Sequence, residues 1–317
     1  MEIVTFVIER FDGERSYSRE YDFAYREGMT VLDALMEIRE KQDPSLNFTA
    51  SCRAAICGSC AVRVNGNAVL ACDTRLDELL KKWSSSTLTV GPLANFRVIS
   101  DLVVDWDEKL ARLQTICPGL VADEGAFDRN GSSQPPENVN KVHEMWNCNL
   151  CGACVSECNK LTRGSADFLE PFVFTAARKY AEDSRGGEPL HHLEPALKNG
   201  LWKCFYCQEC VTKCPQGVKP AEDISRMREA TMRSGFVNGA GPRHAQSFLK
   251  DMEGTGRLDE IKLGLRTEGL WKNMGRLPLA LRLISRGKIS LRNRPRTIAG
   301  HDKLREMLRM RKGEIKR

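Results

Sequence analysis

Twelve of the thirteen cysteines fall into three sets of four, and their spacing is that of ligands to iron. Cys204, Cys207, Cys210 and Cys214, with Pro215 behind them, form a C-x2-C-x2-C-x3-C-P run. Cys148, Cys151, Cys154 and Cys158 repeat the same spacing upstream. Two such blocks imply two [4Fe–4S] clusters with crossed ligation, because the last cysteine of each block completes the other block's cluster. The expected sets are Cys148, Cys151, Cys154 with Cys214, and Cys204, Cys207, Cys210 with Cys158. The third set is Cys52, Cys57, Cys60 and a distant Cys72, the C-x4-C-x2-C…C spacing of a plant-type [2Fe–2S] centre. A planar two-iron cluster takes two thiolates per iron. Small residues in the loop, Ala54, Ala55, Gly58 and Ser59, let the backbone wrap closely and aim N–H groups at sulfur. Zinc is the alternative for each set. The x4-then-x2 spacing, the Cys-Pro ending and the pairing of two blocks favour iron.

The rest of the composition frames this reading. A chain of 317 residues suits two or three domains, and 41% apolar residues suffice for packed cores. The cysteine count is odd, so a disulfide framework is not expected, and Cys117 is left over as a buried structural thiol. Thiolate ligation implies cluster insertion in a reducing compartment, the cytoplasm. Residues 2–9 read as a strand and not as a signal peptide, and no run of about 18 apolar residues is present. The net charge is +6, yet residues 272–317 hold fifteen Lys and Arg against three Asp and Glu. The remainder is therefore acidic. No G-x-G-x-x-G, P-loop, catalytic triad or acid/base constellation occurs. No catalytic residue is expected on this chain, so substrate chemistry belongs to another one.

Ordinary sequence signals supply the elements that position the cysteines. Residues 2–9 and 19–26 are strand-like. Thr30 is a good N-cap for a helix to about Glu40, with Val31, Leu32, Leu35, Met36 and Ile38 on its apolar face, and Asp43-Pro44 stops it. Asn65-Gly66 makes a hairpin between strands at 61–64 and 68–71, which returns Cys72 to the loop. A last strand ends at Gly91-Pro92. From about Val103 the pattern turns helical, with helices expected at 106–114, 168–181 and 220–233 and a loop at 125–138. Each cysteine block is expected at the mouth of a helix, where free N–H groups favour a negative cluster. His191 and His192 point about 100° apart on a helix and read as surface or partner contacts. Arg53, Lys203 and Lys213 flank thiolates and could raise cluster potentials.

The strand–helix–strand sheet with its cysteine loop resembles the β-grasp fold of plant-type ferredoxins. The order of parts, with Gly28 to Leu35, Ser51-Cys52-Arg53, Cys57-Gly58-Ser59-Cys60 and Cys214 to Pro220, resembles the iron–sulfur subunit of the succinate dehydrogenase/fumarate reductase family over about residues 1–240. The expected class is α+β. A β-grasp [2Fe–2S] domain (1–105) precedes an all-α two-cluster domain (106–240) and a basic helical extension (241–317). The resemblance implies an electron-transfer subunit of a membrane-associated respiratory complex. It would relay single electrons between the FAD of a flavoprotein partner and a third subunit. The [2Fe–2S] centre would face the flavin and the Cys158/Cys204/Cys207/Cys210 cluster the exit.

The chain departs from that family around the exit. Most members lack a cysteine at the position of Cys207 and hold a [3Fe–4S] cluster; here a full ligand set implies [4Fe–4S], the alternative being a free thiol beside three irons. Asn159 stands where the family has proline. Lys160, Leu161, Thr162 and Arg163 stand where it has tryptophan, and Phe205 where it has histidine. The donors that orient a quinone carbonyl are thus missing. These departures resemble the branch whose third subunit is heterodisulfide-reductase-like, with CCG motifs; there the exit cluster hands electrons to another protein-bound cluster. Service to another flavoprotein or to a thiol/disulfide reductase is the competing reading. The tail has apolar residues at helical spacing (Leu270, Met274, Leu277, then Leu279, Leu283, Ile284), and a helix at 301–311, all set among basic residues. It reads first as docking on an acidic partner subunit, with an anionic membrane surface as the alternative. Nucleic acid is not expected as a partner: Trp271 is the tail's one aromatic, and no stacking platform exists. The expected place is the inner face of the cell membrane, held peripherally through partners. The periplasmic face would require the partner to carry the export signal.

Overall fold

Apolar alternation sets the first strand. β1 (Ile3–Phe11) turns Val4, Phe6, Ile8 and Arg10 inward and its odd positions outward. β2 (Ser16–Ala24) pairs antiparallel with it, from Ile3↔Ala24 to Phe11↔Ser16. Thr30 caps α1 (Val31–Lys41) with a reciprocal box to Asp33, and α1 buries Val31, Leu32, Ala34, Leu35 and Ile38. β3 (Ala61–Val64) and β4 (Asn67–Leu70) form the expected hairpin. Asn65 (φ 45°) and Gly66 (φ 77°) are both left-handed, as a two-residue turn of this hand demands. After α2 (Leu76–Trp83), β5 (Thr87–Gly91) runs parallel to β1 and antiparallel to β3, giving the order β2-β1-β5-β3-β4. A small hairpin, β6 (Val98–Ser100) and β7 (Val103–Val104), leads out of the sheet. Neither α2 nor this hairpin is announced by a long periodic signal. In the computed structural model, residues 2–164, 167–269, 273–275, 277–288 and 295–315 are described, with side chains of the last helix to 310.

The alternation of β1 carries a charge into the core. Arg10 Nε donates to Asp101 (2.8 Å), and its Nη1 donates to Asp43 (2.6 Å), with all three side chains buried. Asp101 also accepts from the backbone of Phe11 (3.1 Å) and Asn47 (2.8 Å). Removing Asp101 leaves Arg10 with one of its two buried carboxylates and leaves Arg10 Nε and the Phe11 and Asn47 N–H groups without this acceptor. Asp101→Ala is expected to destabilise the protein by about 3–5 kcal/mol, read as a lower denaturant midpoint of the [2Fe–2S] visible absorption.

Beyond the sheet the chain is helical. α3 (Asp107–Gln114) is followed by α4 (Pro136–Trp146), which begins inside the stretch expected to be loop. Two single turns mark the first cysteine block, α5 (Ala153–Ser156) within it and α6 (Asn159–Thr162) directly after Cys158. α7 (Pro171–Glu182) and α8 (Pro189–Lys198) open on prolines, which lose nothing at a helix's first turn. The polar start and interior Pro195 hide α8 from the sequence. A third single turn, α9 (Glu209–Thr212), precedes α10 (Pro220–Arg233). The core here is Phe168, Phe172, Val173, Phe174, Ala177, Ile224 and Met227. Buried Asp223 ties α10 to α7 by accepting from Thr175 (2.7 Å) and Arg178 (2.6 Å).

Two expectations fail in this region. Cys117 is exposed, not buried. It sits at φ 49° just past α3, where the turn sends Ile116 inward instead. His192 is 1% exposed, with Nδ1 3.0 Å from the Ile116 carbonyl oxygen, so it is a core residue. Burial holds its pKa below the usual histidine range. His191 alone is at the surface.

The chain divides into two units, residues 1–227 and 228–317. In the second, α11 (Ala240–Thr255) packs on α12 (Glu260–Glu268). Arg266 meets Asp251 at 2.8 Å, and the same carboxylate accepts from the Asp259 N–H (3.0 Å). α13 (Leu277–Ser285) has no buried residue and exposes Leu277, Leu279 and Leu281. Pro278 lies in its first turn, where a proline costs nothing. α14 (His301–Ile315) extends the expected 301–311 helix, and His301 Nε2 lies 3.2 Å from the Met252 carbonyl oxygen. Leu270 and Trp271 lie outside the described residues.

Candidate metal centres

The first centre is built by the segment between α1 and β3. Arg53 (φ 56°), Ala55 (φ 59°) and Gly58 (φ 73°) are left-handed, and these turns swing backbone N–H groups toward sulfur. Cys52 Sγ accepts from the N–H groups of Ala54 (3.4 Å) and Cys57 (3.3 Å). Ala55 N–H reaches Cys72 Sγ at 3.3 Å, so the hairpin does return the distant cysteine to the loop. Ser59 Oγ lies 3.1 Å from Cys57 Sγ, and this hydroxyl, aided by backbone N–H groups, lowers the Cys57 thiol to about 6. Burial pushes Cys60 up to about 12.

The two later blocks fold alike. The residue before the second cysteine and the one after it are left-handed in both: Leu150 and Gly152, then Tyr206 and Gln208. Three of these four are not glycine, and each such residue costs roughly 1–2 kcal/mol, which the surroundings must offset. The helices that follow these residues, α5 and α9, are single turns. A donor to sulfur comes from the turn before α9, Tyr206 N–H to Cys204 Sγ at 3.3 Å.

Cys148, Cys151, Cys154 and Cys214 line one cavity, and Cys158, Cys204, Cys207 and Cys210 line another. Residues from both blocks therefore meet in each cavity. The walls are otherwise mostly apolar, with Phe172 and Val218 in the first and Phe168, Pro171 and Ile224 in the second. No carboxylate or imidazole lines either cavity. Among the described residues no three His, Cys, Asp or Glu converge on a single-ion point; the thiols ring a space instead. Burial raises Cys151 to about 11 and Cys210 to about 12, and Cys154 well above the usual thiol range. Left alone, these thiols would stay protonated at neutral pH. A donor set of soft sulfur in an apolar shell fits an iron–sulfur cluster, whose positive iron offsets the burial of thiolate.

Contacts distant in sequence fix how the centres stand to one another. A Cβ on Gly58 would lie 2.8 Å from Cys151 Cβ, so the Cys52–Cys60 loop touches the Cys148–Cys158 block directly. Asn149 donates to the Ile56 carbonyl (3.1 Å), and Gln216 to that of Ala55 (2.7 Å). Asn95 donates to the carbonyls of Val155 (2.8 Å) and Ser156 (3.2 Å). Cys154 and Cys210, in different cavities, are close enough that each thiolate would disfavour the other. The three sets thus follow one another from exposed Cys52, through half-buried Cys154 and buried Cys210, to exposed Cys207. None of these ties carries a local sequence signal. Lys203 pairs with Asp167 and Lys213 with Asn67, so these two lysines serve structural contacts.

The surface around Cys207 bears Phe205 (53% exposed) and Tyr206. Lys160 and Arg163 lie over the Phe205 ring, 5.3 Å and 5.9 Å from its centroid.

Comparison with known proteins agrees with the geometry. A 2Fe-2S iron-sulfur cluster binding domain matches residues 5–111, and a 4Fe-4S dicluster domain matches residues 144–218. Fold and site therefore define an electron-carrying iron–sulfur protein. The 8-methylmenaquinol:fumarate reductase iron-sulfur subunit of Wolinella succinogenes is 46% identical over 309 residues, 96% of this chain and 97% of that one. The fumarate reductase iron-sulfur subunit of Escherichia coli is 32% identical over 228 residues, 72% of this chain and 91% of its own. A chain of the Mycobacterium smegmatis Sdh1 complex in the apo form has the same fold, with TM-score 0.67 and 23% identity over 74% of this chain and 97% of that one. The chain belongs to the family of iron–sulfur subunits of fumarate reductase and succinate dehydrogenase, and its part in that oxidoreductase is electron transfer. Among the described residues no helix is long and apolar enough to cross a membrane.

Proposed function

We propose that this chain wires a flavoprotein to a third, cluster-bearing subunit through three centres. Cys52, Cys57, Cys60 and Cys72 hold [2Fe–2S]. Cys148, Cys151, Cys154 and Cys214 hold the middle [4Fe–4S], and Cys158, Cys204, Cys207 and Cys210 the exit [4Fe–4S]. The grouping of four thiols in each cavity supports these sets. The clusters supply the one-electron steps. The chain's own work is to space them, to keep water from the middle one, and to set potentials through N–H donors to sulfur.

The observation that carries this reading is the file of thiols with an exposed member at each end. At one end Cys52 lies beside Ile56, a 72% exposed apolar residue that suits burial under the flavoprotein. At the other, Cys207 is ringed by Phe205, Tyr206, Lys160 and Arg163. Cations stacked on an aromatic ring give an acidic protein surface something to grip, and the tryptophan and histidine expected of the family's quinone pocket are replaced by these residues. A third subunit carrying its own cluster suits this face. The match covering 96% of this chain has to run through the basic tail. Within the tail, exposed Leu277, Leu279 and Leu281 beside Arg282 and Arg286 suit docking on an acidic partner. Through such partners the chain is held peripherally at a membrane, with fumarate reduced at the flavin by electrons from a menaquinol-type donor. That direction follows the Wolinella relative's name.

The test is iron analysis with electron paramagnetic resonance of the complex isolated without oxygen. About ten irons per chain and three reducible centres are expected, together with fumarate reduction by a reduced menaquinone analogue. Zinc in place of iron, or a three-iron signal in the oxidised wild-type protein, overturns the assignment.

A further inference from the structure

Asn159 follows the ligand Cys158 and opens α6, yet its carboxamide reaches into the other block. Its Nδ2 lies 3.7 Å from Cys207 Sγ, 48 residues on. We propose that Asn159 is a positioning residue that raises the exit cluster's reduction potential by donating a hydrogen bond to the Cys207 thiolate. The inference rests on Cys207 being a ligand, as proposed above. A thiolate that accepts a hydrogen bond gives less charge to iron, so the added electron of the reduced state is better tolerated. Cys204 in the same set takes its bond from the Tyr206 backbone N–H, which no side-chain change removes. Cys207 takes one from a side chain, so here the potential is set by a replaceable group. The bond also spans two ligands of one cluster, because Asn159 moves with Cys158. Cys207 is the exposed member of the set, where an outgoing or incoming electron meets the partner. Lys160 and Arg163 sit close by on Phe205 and are the rival source of a raised potential.

The experiment is a redox titration of the whole complex, following each centre by electron paramagnetic resonance, with Asn159→Leu, Asn159→Gln, Lys160→Gln and Cys207→Ala. Asn159→Leu should lower the exit centre's midpoint by an amount approaching a tenfold change in its reduction equilibrium, ~59 mV for one electron, with iron content and the other two midpoints unchanged. Asn159→Gln keeps the donor and should restore most of the shift. An unmoved exit midpoint in Asn159→Leu overturns the proposal. So does an equal shift in Leu and Gln, or a Lys160→Gln shift that accounts for the whole effect. Cys207→Ala separates the two levels: if it alters neither iron content nor the exit spectrum, Cys207 is no ligand and the underlying assignment has failed.

Discussion

Replacing Cys207 with alanine is expected to turn the exit centre from four irons to three. Cys158, Cys204 and Cys210 would still hold three corners, and no carboxylate or imidazole lines the second cavity to replace the fourth. The iron formerly held by Cys207 would then have only water as its outer ligand, on the exposed side of the cavity. It should be lost to chelators or oxygen, whereas irons tied to buried thiolates stay. The expected result is a deficit of about one iron per chain and a new paramagnetic signal in the oxidised complex, with the [2Fe–2S] and middle centres unaffected. Fumarate reduction from artificial donors that enter at the flavin should persist, while turnover through the third subunit should fall. Full iron content and an unchanged spectrum in this variant would show that Cys207 is a bystander thiol.

Gly58→Ala should have the second large effect, on spacing. The added Cβ would lie 2.8 Å from Cys151 Cβ and 2.9 Å from Cys151 Cα, atoms with no flexible end to swing away. Ordinary contact begins near 3.4 Å, so the Cys52–Cys60 loop and the Cys148–Cys158 block must part by at least about 0.6 Å. A left-handed φ of 73° adds roughly 1–2 kcal/mol of backbone strain for alanine. Parting also stretches the bonds from Asn149 to Ile56 and from Gln216 to Ala55. Electron tunnelling decays steeply with distance, and magnetic coupling between centres falls as its inverse cube. Transfer from [2Fe–2S] to the middle centre should slow, and spin–spin broadening between them should narrow, with iron content retained. Rapid-freeze electron paramagnetic resonance reads both. A folded, fully loaded variant with unaltered broadening would show that this contact does not set the gap.

Neither substitution lies in the second unit, so the docking proposed for α13 can be measured separately, by co-purification of the third subunit.

The sequence alone set out the proposed ligand sets, because a cluster dictates the spacing of its cysteines along a few residues of chain. It also announced the hairpin turn at Asn65-Gly66, the N-cap at Thr30 and the span of α10, each set by local backbone chemistry. What only the tertiary structure decided is how separate segments meet. The approach of Gly58 to Cys151 and the Asn149–Ile56 bond join segments about ninety residues apart. Asn159 over Cys207, and the burial of His192 rather than Cys117, depend in the same way on packing. Short-range preferences are written into neighbouring residues; contacts across the fold arise from the competition of all apolar surfaces for one interior. No local pattern encodes the outcome of that competition.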